Sequence, residues 1–149
     1  MANNSTFFRD LVQNNLINEW AENIDWLLND KKFDKWNKND KTHFTKVVKN
    51  FLHSNSIDYD KFKIDELKTL KPKTFKYAYI NSNESEGIDL VRHIRNGIAH
   101  GNCNIKKNGG LYISIIDYNR NNNVTARLSI PIDLIKNLRI LYKKIIKKK

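Results

Sequence analysis

The sequence predicts a mainly α fold, a helical bundle with one β-hairpin placed just before its last helix. Two observations carry this. Apolar residues recur at three- and four-residue spacing in four segments, at 5–29, 42–53, 85–100 and 131–145. That spacing gives way to β-branched and aromatic runs only at 111–118 and 124–130. A length of 149 residues, with 40% hydrophobic residues and no internal repeat, fits a single domain over 1–149.

In segment 5–29, Ser5 and Thr6 are candidate N-caps. Phe8, Leu11, Val12, Leu16, Trp20, Ile24, Leu27 and Leu28 form a helical stripe, on one long helix or two abutting ones. Residues 31–41 are polar apart from Phe33 and Trp36 and read as a connection. Asp40 or Thr42 then begins a helix with Phe44, Val47, Val48, Phe51 and Leu52 on one side. Short helical pieces are expected at Ile64–Leu70 and Lys73–Ile80, separated by Pro72.

The helix at about 85–100 follows a cap at Ser82 or Ser85. It buries Ile88, Leu90, Val91, Ile94 and Ile98 and ends at Gly101, suited to a left-handed C-cap. Leu111–Tyr118 and Val124–Ile130, joined by the asparagine-rich 119–123, form the hairpin. Pro131 opens the last helix, with Leu134, Ile135, Leu138, Leu141, Tyr142 and Ile145 facing inward.

Charge is unevenly distributed. Residues 1–90 hold 14 Lys/Arg and 14 Asp/Glu, whereas 91–149 hold 13 Lys/Arg against Asp117 and Asp133 alone, so the second part carries the whole +11. A basic half of this kind attracts polyanions and predicts a nucleic-acid or phosphate partner. No apolar run approaches the roughly 20 residues of a membrane span, and residues 1–6 resemble no secretory signal. The single Cys103 excludes a disulfide framework. A soluble, cytoplasmic protein is expected.

The informative segment is Arg92-His93-Ile94-Arg95-Asn96-Gly97-Ile98-Ala99-His100. With Leu90, Val91, Ile94 and Ile98 defining the core arc, Arg92, His93, Arg95, Asn96 and His100 spread over the other side. Gly97 and Ala99 beside this polar row predict close approach of another helix or a ligand backbone. Histidine titrates near neutrality and serves as acid or base. Arginine grips phosphate with a planar fork. Asn96 stands one turn before His100, placed to orient its ring or bind a phosphate oxygen.

Arg95-Asn96-x-x-x-His100 near the end of a helix resembles the signature of the HEPN superfamily, as do the chain's size and the order of its helices. The resemblance implies a HEPN-like helical bundle of the small ribonuclease or toxin-like branch. It implies a metal-independent endoribonuclease, with no cofactor, that cleaves RNA by attack of its own 2′-hydroxyl in a composite homodimer site. It casts the protein as a toxin or antiviral-defence effector restrained by a partner. Arg95 and His100 would be catalytic and Asn96 orienting, with Arg92 and His93 as RNA contacts. The alternatives are a non-catalytic HEPN-like binding module, for instance the subunit of a two-component system that pairs with a nucleotidyltransferase, and a helical adaptor with a basic face. Asp60, Asp65 and Glu66 faintly suggest a metal-dependent nuclease. Their helical spacing around Leu67 and Leu70 argues against the adjacent strands that such chemistry uses.

Overall fold

The computed structural model describes residues 6–147. Eleven elements follow in order: α1 (Thr6–Gln13), α2 (Ile17–Leu28), α3 (Lys38–Ser54), β1 (Asp58–Lys61), α4 (Ile64–Thr69), β2 (Tyr77–Ile80), α5 (Glu86–Ala99), β3 (Cys103–Lys107), β4 (Leu111–Tyr118), β5 (Val124–Pro131) and α6 (Asp133–Lys147). The strands form one mixed sheet in the order β1-β2-β5-β4-β3, with β1 and β2 parallel and the other pairs antiparallel.

This overturns the mainly α bundle with a lone hairpin. The chain is an α/β protein, and the hairpin β4–β5 is the centre of a five-stranded sheet. The helical piece expected at Lys73–Ile80 is instead strand β2, whose Tyr77-Ala78-Tyr79-Ile80 is too short a run for periodicity to distinguish the two. Strands β1 and β3 are edges with mostly exposed residues, so they carry little apolar alternation. Strand β1 pairs with β2 some way along the chain, whereas β3 folds back on its neighbour β4 through the tight turn at Asn108-Gly109-Gly110.

The first helical segment is two helices, broken where Asn15 adopts φ +59°. Ser5 lies outside the described residues. Helix α3 starts earlier than expected: Asn37 and Asp40 form a reciprocal capping box, at 2.9 Å and 3.1 Å. The connection 31–37 contributes to the core, since Phe33 and Trp36 are buried and Trp36 stacks on Tyr142 of α6 at 5.2 Å. Pro131 ends β5 instead of opening α6, which begins at Asp133.

Helix α5 lies on the sheet and is the best-buried helix, with Ile88, Leu90, Val91, Ile94 and Ile98 at 2% exposure or less. Each such side chain contributes about 2 kcal/mol through removal from water. The inward residues of the central strands, Ile113, Ile115, Ala126, Leu128 and Ile130, complete this core. Helices α2 and α3 pack on α5, and α6 packs across both. Arg127, on the alternate face of β5, donates to the carbonyls of Leu67 and Lys68 and so holds α4 on the other side of the sheet.

Two glycines set how closely α5 is embraced. A Cβ on Gly87 would lie 2.9 Å from the Thr45 Cα of α3, and one on Gly97 would lie 2.3 Å from the Ile115 Cγ2 of β4. The close approach that Gly97 permits is therefore to the chain's own sheet, not to a partner helix or ligand.

Candidate functional site

Helix α5 ends as its sequence predicts. His100 is the C-cap and donates its backbone N–H to the Asn96 carbonyl at 2.9 Å, and Gly101 follows with φ +73°. Asn102 donates back to the Gly97 carbonyl at 2.8 Å and accepts from the Ile116 N–H at 3.1 Å, tying the helix end to β4. The His100 side chain is exposed and makes no hydrogen bond or ion pair among the described residues. It opens on a cleft of about 490 Å³ lined by Asn102, Tyr118, Asn119, Arg120 and Asn122.

Arg95 is held by the chain's own residues. Its Nη1 donates to the Asn96 Oδ1 at 2.8 Å. Its Nε lies 2.5 Å from the Asp30 Oδ1, an ion pair by distance, but the N–H is not aimed at that oxygen and is buried without an acceptor. The Asn96 Nδ2 faces the Asp117 Oδ2 at 3.5 Å, the long limit of a hydrogen bond. Asn96 thus bridges Arg95 and Asp117. Its amide orients the arginine, whereas the sequence placed it against His100 or a phosphate.

His93 and Arg92 part company. The His93 Nδ1 is 2.8 Å from the Asp117 Oδ2 and its Nε2 is 2.8 Å from the Asn81 carbonyl oxygen. Both ring nitrogens face oxygen acceptors, and a ring bearing a proton on each nitrogen donates to both. Only 12% of this side chain is exposed, so its nitrogens are committed within the fold. Arg92 is half-exposed and sits 3.7 Å from Asp89. Both line a second cleft, of about 330 Å³, together with Asn96, Asp117, Tyr118 and Asn119. The two clefts therefore share Tyr118 and Asn119.

Sequence reasoning missed Asp117, Tyr118, Arg120 and Asp30. Asp117 was legible: Ile113, Ile115 and Asp117 share one parity on β4, which puts a carboxylate on the buried face. It is 2% exposed, and its Oδ1 is buried without a hydrogen-bond partner. Asp30, in the loop after α2, carries no signal of its kind in the sequence.

Next to Arg95 is a further buried cation. Lys32 is 9% exposed and donates to the carbonyls of Leu27 and Asn29, at 2.9 Å and 2.7 Å, closing the end of α2. Burial, and then the positive charge of Arg95, lower its pKa from 10.5 to about 8.

Among the described residues, no three His, Cys, Asp or Glu side chains are grouped to hold a metal ion. Asp60 ends up on edge strand β1, while Asp65 and Glu66 lie on α4, where Glu66 accepts from the Lys63 N–H at 2.8 Å. No helix among these residues is long and apolar enough to cross a membrane.

Fold and site together define a small α/β protein whose Arg-Asn-x3-His helix is seated on a mixed sheet and ends in an unpartnered histidine. The chain belongs to the HEPN family: a family model described as HEPN pEK499 p136 matches residues 6–149. No curated protein and no solved structure matches it.

Proposed function

We propose that this HEPN protein is a metal-independent endoribonuclease, acting as a homodimer in which two α5 ends face one RNA-cleaving cleft. The observation that carries this reading is the His100 imidazole, exposed and unpartnered at the mouth of a cleft, on the same helix as Arg95 and Asn96. RNA brings its own nucleophile. One histidine takes the proton of the 2′-hydroxyl as the 2′-oxygen attacks phosphorus, and a second protonates the departing 5′-oxygen. Arg95, oriented by Asn96, supports the charge gathering on the phosphoryl oxygens. One chain has one His100, so the two-fold pair supplies the separate acid and base. Arg92 extends the phosphate contacts along α5. In the cell the protein serves as a toxin or antiviral-defence effector, and the resemblance extends to restraint by an antitoxin or nucleotidyltransferase partner.

The Arg95–Asp30 pair favours the alternative of a non-catalytic HEPN-like binding module, because it occupies the guanidinium that the chemistry needs. The two readings separate by experiment. Wild-type protein should cut single-stranded RNA in EDTA, leaving a 2′,3′-cyclic phosphate or 3′-phosphate and a 5′-hydroxyl, and His100→Ala should abolish cleavage while retaining RNA affinity. EDTA-sensitive cleavage with 5′-phosphate ends, or full activity in His100→Ala, would refute the assignment.

A further inference from the structure

The β4–β5 end of the sheet presents a side-chain pair that the motif does not include. A register irregularity between Asp117 and Tyr118 interrupts the β4–β5 ladder. Bulges of this kind re-aim side chains. Asp117 turns into the core at 2% exposure, while the next residue, Tyr118, is 41% exposed. Tyr118 lines the cleft of His100 and Arg120, the cleft of Arg92 and His93, and a third that contains Lys106. A large aromatic ring thus stands where three clefts meet: among the described residues, those of Arg120 and of Lys106 hold no carboxylate, whereas that of Arg92 also holds Glu84, Asp89 and Asp117.

The turn that follows is fixed. The Asn119 Oδ1 accepts from the backbone N–H groups of Asn121 and Asn123, at 2.9 Å and 3.0 Å. The Asn119 N–H donates to the Asn123 carbonyl at 3.0 Å, and Asn122 takes φ +62°. Arg120 is held on this turn, exposed and without a side-chain partner among the described residues. Other arginines of the basic half are occupied: Arg127 by α4, and Arg139 by Glu22 and Asn23. The His100 cleft has no carboxylate on its wall, so nothing there neutralises Arg120.

We infer that Tyr118 and Arg120 form a nucleotide subsite beside His100, in which an unpaired RNA base stacks on the Tyr118 ring and the adjoining phosphate is met by Arg120. The inference rests on the ribonuclease reading for its placement next to the scissile bond. A π-face accepts any base, so the subsite selects single-stranded RNA over duplex, and not one sequence over another. Fixing Arg120 on a hydrogen-bonded turn reduces the ordering that binding must impose.

The test uses a short single-stranded RNA with 2′-O-methyl groups throughout, so that binding is read without cleavage, and its unmodified counterpart for cleavage. Tyr118→Ala should weaken binding about tenfold and Tyr118→Phe should leave it near wild type. Arg120→Gln should weaken binding and lower the salt-dependence slope by about one. Both side chains are exposed, and unchanged thermal melting identifies variants that fold normally. Wild-type affinity in Tyr118→Ala, equal loss in Tyr118→Phe, or equal competition by duplex RNA would each overturn the stacking subsite. His100→Ala separates the two claims. If wild type and His100→Ala both fail to cut but bind RNA in a Tyr118-dependent way, the subsite stands and the ribonuclease reading falls. If cleavage depends on His100 and is indifferent to Tyr118 and Arg120, the subsite falls and the ribonuclease reading stands.

Discussion

Gly97→Ala tests how α5 is seated. The added Cβ would lie 2.3 Å from the Ile115 Cγ2, well over an ångström inside the roughly 3.6 Å of normal carbon contact. The methyl cannot swing aside alone, because rotation about the Ile115 Cα–Cβ bond carries Cγ1 with it, itself 3.5 Å from the same point. Ile115 is 1% exposed, and β4 is hydrogen-bonded to a strand on each side. Relief therefore requires α5 to lift from the sheet. Overpacking of this severity costs about 3 kcal/mol. Alanine returns about 1 kcal/mol of helix propensity, leaving a net loss of about 2 kcal/mol and a fall in Tm of roughly 4–8 °C. Urea unfolding followed by far-ultraviolet circular dichroism measures it. Ile115→Ala alone should cost about 3 kcal/mol, yet the double variant should fall short of the sum by about 2 kcal/mol, because the space vacated by Ile115 receives the new methyl. Additive losses, or a Gly97→Ala protein more stable than wild type, would refute the packing argument.

Two further outcomes follow from buried charge. Asp117→Ala removes the acceptor of the His93 Nδ1 and should cost about 3 kcal/mol in urea unfolding, with Asp117→Asn milder; a loss below about 1 kcal/mol in the alanine variant would mean that the pair is dispensable. Lys32 has its pKa lowered to about 8 in the native protein, so between pH 8 and its unfolded value of 10.5 the unfolded chain binds more protons. Wild-type stability should therefore rise relative to Lys32→Met across that window, by on the order of 2 kcal/mol. A flat difference would show that Lys32 is not desolvated.

Helix α5 was legible in the sequence because its apolar residues, the cap position at Ser85 and Gly101 all agree, and its observed bounds fall within one residue of those expected. Strands β4 and β5 were legible for the same reason: eight-residue runs with β-branched residues are long enough to show their period. The short strands β1, β2 and β3 were not. They are four or five residues long; β2 pairs with β5, a partner that no local pattern names, across Ala78 and Leu128, and β3, though it pairs with its neighbour β4 across the Gly109-Gly110 turn, is mostly exposed and lacks apolar alternation. The site divides in the same way. Arg95, Asn96 and His100 stand out through helical spacing, whereas Asp30, Tyr118 and Arg120 reach them only through the fold. Gly97 shows how a correct inference of close approach can be assigned to the wrong neighbour.

The order of elements along the chain also governs when the motif can be assembled during synthesis. Residues 86–100 are translated before β4 and β5, yet Ile94, Gly97 and Ile98 rest on the inner face of those strands. Until β4 has been added, α5 has only β2 and the earlier helices to pack on and its end lacks the tie from Ile116, and the sheet under it is complete only once β5 follows. The beginning of the chain waits as well: the Asp10 carboxylate meets its partner, the Ile105 N–H at 2.9 Å, only after 95 further residues. Such distant pairings delay folding, because each loop must be closed before its contacts contribute. A growing chain thus carries the complete Arg95-to-His100 sequence while still unable to hold it in place, and the helix acquires its fixed geometry only near the end of translation.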